Sequence, residues 1–190
     1  MQFKDGRVEV ICGCMFCGKT EETIRRLKRV VIAKGVVQVF KPSIDTRVGA
    51  NEIYSHSGMK FEAISVKQSK DILRFILGET TYVGIDEAQF FDKYIVDVVE
   101  KISQMRKRVI INGLNLNFRG EPFGFMPLLM ARADSVTTLE AICTVCSGPA
   151  TRTQRLVNGK PAKYNDPLVV IGAEESYEAR CRLHHEVPKN

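Results

Sequence analysis

A chain of 190 residues suffices for one domain, or one domain with a small appendage, and buries about 70% of its unfolded surface without covalent staples. No apolar run approaches the ~20 residues of a membrane span, Met1-Gln2-Phe3-Lys4-Asp5-Gly6 lacks the apolar stretch of a signal peptide, and six cysteines without a leader argue against a disulfide framework. A cytoplasmic protein is expected, and its formal net charge of +6 suits nucleic acid or a small polyanionic substrate equally.

Val8-Glu9-Val10-Ile11-Cys12 reads as a short buried strand. It runs into Gly13-Cys14-Met15-Phe16-Cys17-Gly18-Lys19-Thr20, which fits G-x-x-x-x-G-K-[ST] at every position. In that context the backbone N–H groups of the glycine loop converge on phosphate oxygens, and the helix start adds partial positive charge. Lys19 reaches the β- and γ-phosphates, and the Thr20 hydroxyl holds Mg²⁺. The helix that follows extends to about Lys34, with Ile24, Leu27 and Val31 as its apolar stripe and Glu21 and Glu22 suited to its first turn.

Residues 36–40 form a second apolar strand. Residues 43–58 are polar and turn-rich, a candidate mobile loop near the phosphates, and His56 there is read as an ordinary loop histidine. Helical spacing returns over residues 67–78 and 94–105, with apolar strands at residues 81–85 and 108–112. Strands alternating with helices predict right-handed crossovers and a parallel sheet with helices on both faces. Residues 1–141 are therefore expected to form a P-loop α/β nucleotide-binding domain. Residues 142–190, broken by Gly148, Pro149, Gly159, Pro161, Pro167 and Gly172, form a smaller unit of short β-prone runs.

Asp86-Glu87-Ala88-Gln89 follows an apolar strand, where open α/β sheets place their ligands. Asp86 suits Mg²⁺, directly or through water. Glu87 is a second carboxylate beside the γ-phosphate, able to take a proton from a hydroxyl or water. In the tail, Cys143-Thr144-Val145-Cys146 and Cys181-Arg182-Leu183-His184 make two knuckles with the spacing of a closed, structural tetrahedral zinc site, His185 being the alternative fourth ligand.

Several longer motifs now stand together: G-x-M-F-x-G-K-T-E-E-x-I-R-R, F-K-P-x-I-D-T-R, S-H-S-G, I-D-E-x-Q-F-F-D, G-L-x-x-x-F-R-G-E-P-F-G and the C-x₂-C/C-x₂-H tail. They resemble the thymidine kinases of the small, zinc-containing type, and the likeness runs from about Val8 to Pro188. It implies a RecA-like P-loop core with a zinc-anchored lasso, usually assembled as a tetramer and without a nucleic-acid or membrane partner. It further implies ATP as donor, Mg²⁺, structural zinc, thymidine as acceptor and dTTP as feedback inhibitor. Carried over by position, Glu87 is the base for the thymidine 5′-hydroxyl, residues 13–20 with Asp86, Glu87, Ala88 and Gln89 hold Mg-ATP, and Asp45 and Arg47 approach the phosphates and the acceptor. Met15, Phe90, Leu114, Phe118, Phe123 and Thr153 wall the thymine pocket, and Leu168, Val169, Val170, Ile171, Gly172 and Tyr177 supply the lasso that closes over the base.

Two positions depart from the family pattern. Asn115 stands where the family usually has Asp. Cys17 stands where Ser or Ala is common, and a thiol at a helix start beside Lys19 is expected to be reactive. Two other readings are a nucleic-acid-dependent P-loop ATPase with a zinc ribbon and a kinase for another deoxynucleoside. Against the first, 190 residues leave little room for a DNA groove, and no aromatic-interleaved basic stripe is visible. The lasso and G-L-x-x-x-F segments argue against the second.

Overall fold

The computed structural model describes residues 5–44, 52–55, 58–169 and 175–189. In chain order the strands of the core region are β1 (Arg7–Gly13), β2 (Val37–Pro42), a short antiparallel pair β3 (Glu52–Tyr54) and β4 (Lys60–Glu62), then β5 (Ile64–Val66), β6 (Tyr82–Ile85), β7 (Arg108–Leu114) and β8 (Ser135–Leu139). Six of them form one parallel sheet in the order β5-β2-β6-β7-β1-β8. The helices are α1 (Lys19–Ile32), α2 (Ser69–Phe75), α3 (Ile95–Gln104) and α4 (Met126–Arg132).

Period-2 alternation decides which helix lies on which face. Val8 and Val10 of β1, Phe40 of β2, Val83 and Ile85 of β6, and Val109 and Ile111 of β7 pack with Ile72 of α2, Ile95, Val99 and Ile102 of α3, and Met126 and Leu129 of α4. Their neighbours Ile11, Val39 and Ile110 face Ile24 and Leu27 of α1, together with Ile53 of β3. Both α1 residues are fully buried, which stabilises the helix by about 1.5–3 kcal/mol apiece. The predicted stripe ends there, for Val31 is 51% and Ile32 82% exposed.

β8 was not predicted, because Ser135-Val136-Thr137-Thr138-Leu139 has no apolar run. Polar pins hold it at the edge instead. The Val8 N–H donates to Asp134 Oδ2 at 2.8 Å, and Arg26 ties Thr137 Oγ1 (3.0 Å) to Glu9 Oε2 (2.9 Å).

The remaining strands are β9 (Ala141–Ile142), β10 (Pro149–Ala150), β11 (Arg152–Val157), β12 (Lys160–Pro161) and β13 (Glu175–Arg180). β9 pairs with β10, and β11 pairs with both β12 and β13, all antiparallel, with Thr153 opposite Ala179. This smaller β region is seated on the phosphate loop. Cys14, Ala141, Cys143, Ala150 and Ala179 form one buried cluster, and the Cys14 thiol donates to the Ala150 carbonyl at 3.3 Å. No helix among the described residues is long and apolar enough to cross a membrane.

Candidate active site

β1 delivers the chain into the phosphate loop, and α1 begins at Lys19. Gly13 is required there by space: a Cβ would lie 2.3 Å from the Leu139 carbonyl oxygen and 2.6 Å from Cys17 Sγ. Lys19 is buried, with its Nζ donating to the Cys14 carbonyl at 2.6 Å and lying 3.8 Å from Cys17 Sγ. The adjoining Cys14 thiol, helped by the Lys19 ammonium and against the effect of burial, holds the Cys17 thiol down at about 6. Cys14 is raised in consequence, by that same neighbour and by burial.

The second motif stands at the carboxyl end of β6. Asp86 is buried there, and Glu87 takes the left-handed conformation (φ 50°) before a 3-10 turn, Ala88–Phe90. Two residues missed in the sequence hold this corner. Asn112, at the end of β7, accepts from the Glu87 N–H (3.4 Å) and donates to Thr23 Oγ1 (2.9 Å), which donates to the Lys19 carbonyl (2.9 Å). Both are fully buried polar residues, Thr23 on the apolar face of α1 and Asn112 in an apolar strand. That misplaced polarity was the available signal.

Gln89, predicted to touch nucleotide, is buried and turned inward. Its Nε2 donates to Glu87 Oε2, and its Oε1 accepts the Leu114 N–H at 2.9 Å. Gly113 leaves room for it, since a Cβ there would lie 2.6 Å from Gln89 Oε1.

Between the two motifs lies a cavity of about 120 Å³. Phe16, Gly18, Lys19 and Thr20 line one side, Glu87 another, and Met15, Leu114 and Ser55 the rest. A larger concavity, about 1140 Å³, opens among Arg25, Arg29, Lys34, Arg106 and Arg108. It borders the starts of β6 and β7, away from every motif, whereas open α/β sheets bind ligands at the carboxyl ends of their strands. The smaller cavity is the candidate site.

The predicted base-pocket residues separate into groups. Met15 and Leu114 line the cavity. Phe90 and Phe123 meet edge to face, with centroids 5.6 Å apart at 84°. Thr153 is buried and accepts the Met15 N–H at 3.0 Å, so it fixes the loop backbone. Phe118 is also buried, below the guanidinium groups of Arg155 (5.1 Å) and Arg119 (5.5 Å). Leu168 and Val169 are exposed, and Tyr177 stands opposite Arg155 in the β11–β13 pair. Asp45, Arg47, His56, Val170, Ile171 and Gly172 lie outside the described residues.

The sulfur and nitrogen atoms of Cys143, Cys146, Cys181 and His184 lie within 4.8 Å of one another. His184 Nδ1 is 3.2 Å from Cys181 Sγ and 3.8 Å from Cys143 Sγ. Burial alone would push the Cys143 thiol up. The N–H groups of Cys181, Cys146 and Val145, with the His184 ring, outweigh it and bring Cys143 to about 5, towards the thiolate a metal needs. Three thiols and an imidazole from two knuckles fit a four-coordinate zinc with no open position. His185 is directed elsewhere: its Nε2–H donates to the Phe118 carbonyl at 2.8 Å.

A family model described as thymidine kinase matches residues 6–185. The thymidine kinase of Coprothermobacter proteolyticus is 56% identical over 185 residues, covering 97% of this chain and 93% of its own. Among solved structures, the flagellar accessory protein FlaH from Methanocaldococcus jannaschii matches with a TM-score of 0.52 at 14% identity, covering 77% of this chain and 76% of that one. That likeness is one of fold.

Proposed function

The chain belongs to the thymidine kinase family, and from that premise we propose that it transfers the γ-phosphoryl group of ATP to the thymidine 5′-hydroxyl, with Glu87 as general base, giving dTMP and ADP. The observation that supports this reading is the shared cavity. Glu87 faces the same small space as Lys19 and Thr20, so an acceptor hydroxyl there meets a carboxylate on one side and the phosphate loop on the other.

Residues 13–20 cradle the triphosphate through backbone N–H groups, and Lys19 moves from the Cys14 carbonyl to the β- and γ-phosphate oxygens. Thr20 and Asp86 would hold Mg²⁺, which supplies charge neutralisation as phosphoryl transfer proceeds. Asp45 and Arg47 approach the phosphates and the acceptor. Met15, Leu114, Phe90 and Phe123 pack around thymine, with Phe118 and Thr153 behind them. Residues 168–172 and Tyr177 close over the base, bonding its edge through main-chain groups. Thymine presents an N3–H donor between two carbonyl acceptors, so a backbone fitted to it leaves buried groups unpaired against cytosine, at about 1–3 kcal/mol each.

The Cys3His site holds structural zinc and braces β10–β13 within a unit of residues 142–190, beside a nucleotide-binding domain of residues 1–141. The enzyme works in cytoplasmic thymidine salvage as a homotetramer, restrained by dTTP.

Glu87→Gln tests the reading. Thymidine and ATP binding should remain while kcat falls by about 10²–10⁴. A variant retaining more than about a tenth of wild-type kcat would show that Glu87 is not the base.

A further inference from the structure

The phosphate loop carries a second chemistry that phosphoryl transfer does not use. Cys14 and Cys17 stand in C-x-x-C spacing immediately before α1, where a helix start favours the thiolate of a reactive dithiol. They also meet in space: Cys17 packs against the buried cluster containing Cys14. The Lys19 ammonium lies 3.8 Å from Cys17 Sγ, and that sulfur lies over Gly13. Cys17 is partly exposed whereas Cys14 is buried, which gives an accessible attacking sulfur backed by a resolving one. Cys12, the third thiol, is turned to Thr138 Oγ1 at 3.6 Å.

We propose that Cys14 and Cys17 form a peroxide-oxidisable dithiol whose disulfide occupies the inside of the phosphate loop and excludes ATP. The Cys17 thiolate attacks one peroxide oxygen, and the O–O bond breaks. Cys17 sulfenic acid forms, and the departing hydroxide leaves as water after taking up a proton. Cys14 sulfur then attacks Cys17 sulfur, the S–O bond breaks, and a second water departs with the Cys14 proton. In sum, two thiols and one peroxide give one disulfide and two waters, and a dithiol reductant reverses the change by exchange. The bridge pulls Cys14 away from the Ala150 carbonyl and fixes the loop where the γ-phosphate is read to sit. This last step rests on the reading of residues 13–20 as the triphosphate site.

The test uses the full chain, hydrogen peroxide, and fragment mapping of the tryptic peptide of residues 8–19, which carries Cys12, Cys14 and Cys17. Limited peroxide should remove two hydrogens from that peptide, with the bond mapping to Cys14 and Cys17. Saturating ATP should slow the change at least tenfold, and the oxidised protein should bind ATP at least about tenfold more weakly by calorimetry until dithiothreitol restores it. In Cys14→Ala, peroxide should carry Cys17 on to sulfinic acid, which dithiothreitol does not reverse. The inference is overturned if the bond forms between Cys12 and Cys17, if zinc is released before the loop is oxidised, or if Cys14→Ala and wild type recover alike. A Cys14–Cys17 disulfide that forms equally fast with ATP and leaves ATP affinity unchanged would overturn the exclusion of ATP together with the phosphate-site reading, and would leave only the dithiol chemistry standing.

Discussion

Replacing Gln89 by Met isolates the positioning of the proposed base from its chemistry. Methionine nearly preserves the side-chain volume at this buried position but removes both polar ends. The donor to Glu87 Oε2 and the acceptor for the Leu114 N–H are lost together. An unsatisfied Leu114 N–H costs about 1–3 kcal/mol of stability. For a chain of this length that lowers Tm by roughly 3–10 °C. The kinetic effect arises at Glu87, whose carboxylate loses the bond from Gln89, and a misplacement of ~1 Å in a reacting group costs about 10²-fold. We expect kcat 10–100-fold below wild type, with KM for thymidine and ATP within about threefold. Gln89→Glu probes the same contact differently. It retains an acceptor for the Leu114 N–H, but it buries a second carboxylate against Glu87, so stability falls as well, one carboxyl of the pair is held protonated at neutral pH, and kcat is low. The assay is steady-state kinetics on both variants beside thermal unfolding. A Gln89→Met enzyme with kcat within about twofold of wild type would refute the argument, whatever its Tm.

Cys143→Ser or Cys181→Ser should abolish a content of about one zinc per chain, measured by elemental analysis, and should remove thymidine binding while ATP binding survives. Full activity in protein shown to contain no metal would overturn that expectation. At the first turn of α1, hydrogen bonds from Arg25 and then Arg26 hold Glu22 at about 2. The folded value lies below the unfolded one, so the contribution is complete above the ordinary carboxylate range and is lost as pH falls through about 2. Glu22→Gln should therefore flatten the dependence of Tm on pH between about 5 and 2, and an unchanged slope would argue against the clamp.

Chain-local placement was readable in advance. Residues 13–20 and Glu87 border one cavity, the two C-x₂-[CH] strings bring three thiols and an imidazole together, and β2, β6 and β7 are apolar runs whose burial on both faces leaves little choice of structure. Long-range polar pairing was not readable. Thr23 and Asn112 are 89 residues apart, Gln89 and Leu114 are 25 apart, and no local period announces either bond. β8 escaped for a related reason, since an edge strand held by Asp134 and Arg26 needs no apolar repeat. The choice between His184 and His185 needed coordinates as well. Adjacent histidines have identical spacing rules, and only the fold directs one ring towards the thiols and the other to the Phe118 carbonyl.

The bond from the Met15 N–H to Thr153 Oγ1 is one contact between the two regions read as binding ATP and thymidine, and any coupling that passes through it is reciprocal. Met15 belongs to the loop read to hold phosphates, and Thr153 belongs to β11, whose partner β13 follows the segment read to cover the base. If filling the loop strengthens or weakens this bond, thymidine affinity shifts by the factor that exchange is worth, and bound thymidine must shift ATP affinity by the same factor in the same direction. One neutral hydrogen bond is worth about 0.5–1.5 kcal/mol, so cross-talk through this contact is confined to roughly two- to twelvefold. Thr153→Val would remove that share and no more, leaving the two binding isotherms closer to independence.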